Sequence, residues 1–447
     1  MTMRIRALLL LISTFLALFS FSVQSESKTP VTLITNADVF DGVNEKLIKD
    51  TDVLIEGNLI RQIGRDMEVP ADAIVIDAAG RTMIPGLIDT HWHMTMAEIP
   101  QTAILFGDMS EVAIRGALAS EPTLLRGFTT VRNLGGNTFA IKKLIDEGTL
   151  VGPRIFPSGP VMSQTGGHYD YRLPFEVPAE STMNYWGRNG FMVIADGVPE
   201  VQKRAREIFR MGASQIKFAA GGGVASVYDP VDVRQYSLEE MKAIVDVAKS
   251  YNSYAAVHVF TDEAVEMALE AGVMSMDHGF LISEKVLKKM KAKGAWLSIQ
   301  PLLNDEDAFD FSANPVAQKK WIEVTDATNT IYPLAKEVGV NIAFGTDLLM
   351  DKELAAKQGK FLAKLGNWFT GYEALKIATS ENARLLALSG PRSPYQAGPL
   401  GVLKEGAYAD LILVDGNPLE NLDLVANPED NFDLIMKDGE VFKNTLH

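Results

Sequence analysis

The chain has 447 residues, 47% hydrophobic and 22% charged, enough apolar material for one large core and a second, smaller one. Its formal net charge of −15 argues against a nucleic-acid surface and offers no basic face to an anionic membrane. The absence of cysteine excludes disulfides, cysteine–zinc sites, a thiol nucleophile and a lipidated N-terminal cysteine, so any metal must be held by histidine, carboxylate or something rarer.

In chain order, the first element is MTMRIRALLLLISTFLALFSFSVQSESKTP. Arg4 and Arg6 precede an apolar run from Ala7 to Phe21, and small residues follow at Val23-Gln24-Ser25. This is the pattern of a secretory signal peptide over residues 1–25, and the run is short for a membrane span. No other stretch is long and apolar enough to cross a bilayer. The expectation is a protein that is periplasmic or secreted and free of the membrane once the signal is cleaved, and export without cysteine suits a bacterial periplasm.

Residues 31–80 read as short strands and turns (VTLITNADVF, TDVLIEG, LIRQIG, AIVIDAAG), rich in Val, Ile and Thr and punctuated by Asn, Asp and Gly. The last fifty residues (GVLKEGAYADLILVDGN, NFDLIMKDGEVF) look alike. The simplest account is a small β-sandwich built from both chain ends, residues 26–84 and 391–447, with a larger domain, 85–390, inserted between them. That middle alternates short apolar runs (TTVRNL, RIFPSG, SQIKFAAGG, YAAVHVF, VMSMDHG, AWLSIQP, NIAFGTD) with helical patterns. SLEEMKAIVDVAKSYN carries a capping box at Ser237 and Glu240, and TDEAVEMALEAGV starts at Thr261 and stops at Gly272. The expected fold class is α/β, a closed (β/α)8 TIM-like barrel, favoured at this length over an open doubly wound sheet. GGGVAS lacks the Lys-Ser/Thr of a phosphate-binding loop.

Polar residues cluster at the ends of these runs. His91 and His93 end the first, His258 ends AAVHVF, His278 ends MSMDHG and Asp347 ends IAFGTD. Five of the six histidines fall in the barrel stretch; the sixth, His447, is the final residue and has no expected role. In a barrel the C-terminal strand ends meet at one mouth, where active sites form. Alternate residues of a strand point the same way, so His91 and His93 can both face inward with Trp92 turned outward, a chelating arrangement. Lys217, inside QIKFAAGG, is costly to bury charged, and its pKa would fall. A neutral amine can add carbon dioxide to become a carbamate, a carboxylate on a long stem able to bridge two cations. The same lysine could instead pair with a nearby carboxylate, and residue chemistry leaves both open.

The motifs IPGLIDTHWHM, GFTTVRNLGG, GPRIFPSG…TGGHYD, QIKFAAGGG, HVFTDEAVEMALEAGVMSMDHG, FGTD and TGYEALKIATSENARLLAL, in this order, resemble the amidohydrolase superfamily. More narrowly, they are similar to its imidazolonepropionase-related metallodipeptidases, the Xaa-Pro and Xaa-Arg dipeptidase-like branch. The resemblance runs from about residue 30 to the C-terminus. It implies a two-metal site, zinc by preference, with His91, His93 and Asp347 on the more buried ion and His258 and His278 on the more exposed one. Lys217, as a carbamate formed with carbon dioxide, would bridge both together with a hydroxide. Such a hydroxide attacks an amide carbonyl, Asp347 takes its proton and passes it to the leaving amine, and His168 in TGGHYD stabilises the oxyanion.

Relatives often carry a tyrosine in HAY that helps bind the substrate carboxylate. Here the motif is HVF, with Phe260, and Tyr228 in GGVASVYDP is the nearby hydroxyl. Asn133 stands where relatives often have aspartate. The acidic run after the seventh strand, PLLNDEDAFDF, with Asp305, Glu306, Asp307 and Asp310, would favour a basic group if it lined the mouth; its phenylalanines would equally suit an aromatic one. The expected substrate is a small peptide or N-acyl amino acid, with no nucleic-acid partner and with a homo-oligomer left open. Competing readings are a cyclic amidohydrolase of imidazolonepropionase type, against which the signal peptide argues, and a mononuclear deaminase, against which Lys217 argues. A non-catalytic binding protein on the same scaffold is a further reading, against which the full ligand set argues.

Overall fold

The computed structural model describes residues 29–446 apart from 174–175, 177–184 and 227, and without the side chain of residue 105. The expected signal peptide, 1–25, and His447 lie outside the described residues. Near the N-terminus run β1 (Val31–Val39), β2 (Ile48–Glu56), β3 (Leu59–Gly64), β4 (Ile74–Asp77) and β5 (Thr82–Pro85). The barrel strands are β6 (Leu87–Trp92), β7 (Phe128–Asn133), β8 (Arg154–Pro157), β9 (Val161–Ser163), β10 (Met192–Ile194), β11 (Ile216–Ala219), β12 (Ala255–Thr261), β13 (Ser275–Leu281), β14 (Trp296–Ile299) and β15 (Asn341–Phe344). The chain ends in β16 (Leu411–Val414), β17 (Phe432–Lys437) and β18 (Glu440–Asn444).

Both chain ends build one mixed sheet, in the order β18-β17-β16-β5-β1-β2-β3, with β4 parallel to the first half of β1. The join is antiparallel, Leu411–Val414 of β16 against Thr82–Pro85 of β5. Barrel strands pair in parallel, β6-β7-β8 in one sheet and β10-β9-β11-β12-β13-β14-β15 in the other. The ring closes where β15 returns to β6: Thr90 Oγ1 donates to Phe344 O at 2.8 Å and Asp347 N donates to His91 O at 2.8 Å. On the other side Ser214 N donates to Pro157 O at 2.8 Å. This is the barrel with an added terminal sheet that the strand–helix alternation predicted.

The local signals act as expected. Helix Leu238–Ser250 has both arms of the Ser237/Glu240 capping box. Helix Asp262–Ala271 stops at Gly272, whose φ of +93° suits a residue without a Cβ. Thr261 sits at its N-cap position, but its side chain makes no cap bond. Among the described residues no helix is long and apolar enough to cross a membrane.

Candidate metal centre and its cavity

His91 lies in β6 and His93 one residue past it, both buried. Trp92 points the other way into the core, and the Arg126 guanidinium sits 5.8 Å from its ring centre. Gly345 brings β15 against this strand, because a Cβ there would fall on His91. Asp347 follows in a left-handed conformation, φ +53°, with Oδ1 3.4 Å from His91 Nε2 and 3.1 Å from His93 Nε2. One ligand atom from each of the three falls within 4.8 Å of the others, so the cluster can hold a metal ion.

Two more histidines join this cluster. The His278 ring centre is 4.8 Å from that of His91 and 4.4 Å from that of His258. His278 Nδ1 lies 2.8 Å from Gln300 Oε1, and His258 Nε2 lies 3.0 Å from Gly222 O. Both partners are acceptors, so each ring donates there and its other nitrogen carries a lone pair. Those nitrogens, His278 Nε2 and His258 Nδ1, are buried without a hydrogen-bond partner, as is His91 Nε2. Buried polar atoms left without a partner are costly. Imidazoles pinned through one nitrogen, with the other free, are what metal ligation uses. The donor set therefore fits divalent metal.

Electrostatics agree with that fit. Burial pushes His91 down to about 4 and His278 to about 3, and holds His258 well below the usual imidazole range. All three are neutral at pH 7, the form that ligates. Lys217 is fully buried, and burial lowers its pKa. In the unmodified chain its Nζ donates to Asp277 Oδ2 at 2.6 Å, the carboxylate pairing that residue chemistry left open. Arg132 Nη2 holds the other oxygen of Asp277 at 2.7 Å. Burial pushes the Asp277 carboxyl up, but Lys217 and Arg132 more than offset this and keep it ionised.

His168 stacks on His258, with ring centres 3.9 Å apart and an interplanar angle of 13°. Phe260 stacks on His278 at 5.2 Å. Both line a cavity of about 540 Å³, together with His93, His258, His278 and Asp347. Tyr228 is 56% exposed; the tyrosines on the cavity wall are Tyr169 and Tyr171. Asn133 braces the backbone, accepting from Met94 N at 2.8 Å and donating to Gly135 O at 2.6 Å.

Three of the four carboxylates of the acidic run prove to be paired with lysines. Asp307 is buried against Lys357, Lys360 and Lys364, Asp305 binds Lys364 at 2.8 Å, and Glu306 reaches Lys360 at 3.3 Å. These pairs clamp a loop whose Phe309 and Phe311 face the cavity beside Trp321, with ring centres 5.4–6.1 Å apart. The wall is aromatic, and the attraction for a basic group expected of this run is reduced to Asp310, which lines the cavity and accepts from Ser312 N.

Asp277, Arg132, Gln300 and Asp229 were not singled out from the sequence. Arg132 and Asp277 carried the same signal as Lys217, a charge inside an apolar strand. Strand alternation hides Asp277, because it should face away from its neighbour His278. Both reach the cluster because His278 and Gly279 adopt left-handed φ of +77° and +62°, which breaks the alternation.

The fold and site define a class: a parallel barrel with a histidine–aspartate cluster at the C-terminal mouth of its strands, built for metal-assisted chemistry. The chain belongs to the amidohydrolase family, whose model matches residues 82–442. Ochratoxinase of Aspergillus niger is 30% identical over 441 residues, covering 94% of this chain and 88% of that protein. A crystal structure of a prolidase complexed with N-methylphosphonate-L-proline is 32% identical, has a TM-score of 0.85 and covers 93% of this chain and 100% of that one. A Xaa-Pro dipeptidase with bound methionine in its active site is 28% identical, with a TM-score of 0.80 and the same coverages, 93% and 100%. Further relatives include 5-methylthioadenosine/S-adenosylhomocysteine deaminases, one of them 26% identical over 409 residues, and a dihydroorotase, 29% identical over 128 residues, so the relatives span several branches. Family and site together support a hydrolase acting on amide or other C–N bonds.

Proposed function

We propose that this protein is an exported, binuclear metal-dependent amidohydrolase that cleaves the amide bond of dipeptides or N-acyl amino acids bearing a large apolar group. One observation carries the reading. Beyond the His91, His93 and Asp347 cluster, His258 and His278 present buried, partnerless nitrogens in the same chain of ring contacts. One ion would not use all five side chains together with a buried lysine.

His91, His93 and Asp347 would hold one ion, and His258 and His278 the other. Lys217, with carbon dioxide added to its neutral amine, would supply the shared carboxylate. Histidine, carbamate and carboxylate donors suit zinc. When bound, divalent metal activates a water and polarises the amide carbonyl. Asp347 lines the cavity with Oδ1 3.1 Å from His93 Nε2, where its carboxylate would accept the proton of the attacking water and return it to the leaving nitrogen. His168 donates to the carbonyl oxygen as charge develops there. Phe260 and the Phe309–Phe311–Trp321 wall exclude water and favour an aromatic or large aliphatic side chain. The prolidase and Xaa-Pro dipeptidase relatives support an amide-type bond, and the basic, apolar and small-residue succession at residues 1–25 supports export.

The test is to load the protein with zinc, manganese or cobalt and count metal per chain by mass spectrometry. Dipeptides and N-acyl amino acids with aromatic, aliphatic and basic side chains are then assayed. The expected result is two ions per chain and turnover led by aromatic substrates. Lys217→Ala should lose metal and lower kcat/KM by more than the roughly 10–100-fold typical of a ligand's outer partners. A metal-replete protein that cleaves no amide, or a Lys217→Ala variant with full activity and metal content, would overturn the reading.

A further inference from the structure

His168 is held almost entirely by a segment remote from it in sequence. Its ring Nδ1 lies 3.0 Å from Asp229 Oδ2 and 3.0 Å from Ser226 Oγ, and its backbone N–H donates to Gln235 Oε1 at 2.8 Å. Asp229 is 2% exposed, and the hydrogen bond from His168 helps keep its carboxyl below the usual range although burial opposes this. Gly223 lets the ring approach, since a Cβ there would overlap it, and a Cβ at Gly222 would meet the Pro230 carbonyl. GGGVAS is therefore a close-approach segment rather than a phosphate loop.

The segment is itself pinned from across the cavity mouth. Lys320, on helix Pro315–Val338, donates to Gly223 O at 2.9 Å, Ser226 O at 3.1 Å and Asp229 O at 2.7 Å. An ammonium has three donors, and here three backbone carbonyls take them. The next residue of that helix, Trp321, belongs to the aromatic wall.

We propose that Asp229 is a positioning residue for His168. Its carboxylate can only accept, so it fixes Nδ1 as a donor, orients the ring parallel to His258 and leaves Nε2 for the substrate carbonyl, to which it donates when both ring nitrogens carry hydrogen. Lys320 fastens the loop that carries Asp229, coupling the ring to the helix that bears the aromatic wall. The inference rests on the amide-hydrolase reading only for what His168 does once it is held; the holding itself is independent of that reading.

The test has two readouts on the metal-replete full chain. Crystal structures of the protein and of Asp229→Ala are compared first. The expected result is a His168 ring stacked on His258 in the parent and turned away in the variant, with His91, His93 and Asp347 unmoved. A ring that keeps its place without Asp229 would overturn the proposal. Kinetics come second, on the best amide substrate. Asp229→Ala should lower kcat by about 10–100-fold with little change in KM, and Asp229→Asn, which still offers an acceptor oxygen, should recover part of the loss. In a His168→Ala background, Asp229→Ala should cost nothing more, because it acts through the ring. Independent, multiplying losses would overturn the proposal. If Asp229→Ala does not fold, Asp229→Leu and Lys320→Met carry the same comparisons. If the parent cleaves no amide, the functional reading falls, while the ring position still decides whether Asp229 holds His168.

Discussion

His91 and His278 sit where burial leaves their ordinary pKa of 6.5 at about 4 and about 3. With metal removed, that depression becomes a stability term. Between about pH 6.5 and pH 4 the unfolded chain takes up protons at these positions and the folded chain does not, so unfolding binds protons and stability rises with pH. The contribution is complete above about pH 6.5 and is lost as pH falls through the folded values, at up to about 1.4 kcal/mol per pH unit for each histidine. His258, held well below its usual range, adds to it. Asp89, whose burial raises its carboxyl to about 6, works the other way, one group against three. The metal-free protein should therefore show a Tm that is level near neutrality and drops steadily below about pH 6.5. Thermal melts across a pH series check this, and a flat Tm from pH 7 to 4.5 would contradict the burial of neutral imidazoles.

At the scale of elements, β8 is tied to the terminal sheet through one buried guanidinium. Arg154 Nε donates to Asp410 Oδ2 at 3.0 Å and Nη2 to Asp410 Oδ1 at 3.2 Å, with Asp438 also bound. The guanidinium lies 3.9 Å from the ring centre of Tyr408. Arg154→Ala strands a buried Asp410 carboxylate, so it should cost about 3–5 kcal/mol, the usual penalty for breaking a buried pair from one side. Urea denaturation of metal-replete protein measures it, and a loss below about 1 kcal/mol would place the pair among surface bridges. Elements of this kind divide what could be read in the sequence from what could not. His91 and His93 were legible because alternation is a property of a single strand, and Ser237/Glu240 because a capping box is local. Arg154 with Asp410, Lys217 with Asp277 and His168 with Asp229 were not, because each couples segments far apart in sequence and no residue names its partner. The neutralisation of Asp305, Glu306 and Asp307 by lysines some fifty positions on was hidden for the same reason.

For the whole molecule, the question is whether the terminal sheet and the barrel are separable. Alternation along β16, β17 and β5 answers it. Ile412, Val414, Phe432, Ile435 and Ile84 belong to the same apolar cluster as the barrel residues Leu87, Trp92 and Phe128. Leu411, Leu413, Leu434, Met436 and Met83 face the other way, into a second cluster with Val39, Val53 and Ile55. The sheet is thus buried on both faces, and one face is the barrel's own core. Gly127, just before β7, leaves room for the Phe432 and Ile412 side chains, which a Cβ there would crowd. Melting the sheet alone would expose barrel core at roughly 25 cal/mol per Å² of apolar surface and would free the Asp410 and Asp438 carboxylates from Arg154. Neither part has a low-cost partly unfolded state, although the strands fall into two sheet systems and the chain exceeds the size at which two-state behaviour is usual. Scanning calorimetry of the metal-replete protein should show one transition, with β5, β16 and barrel amides losing exchange protection together. Two resolved transitions, or early exchange confined to β16–β18, would show that the terminal sheet melts as a domain of its own.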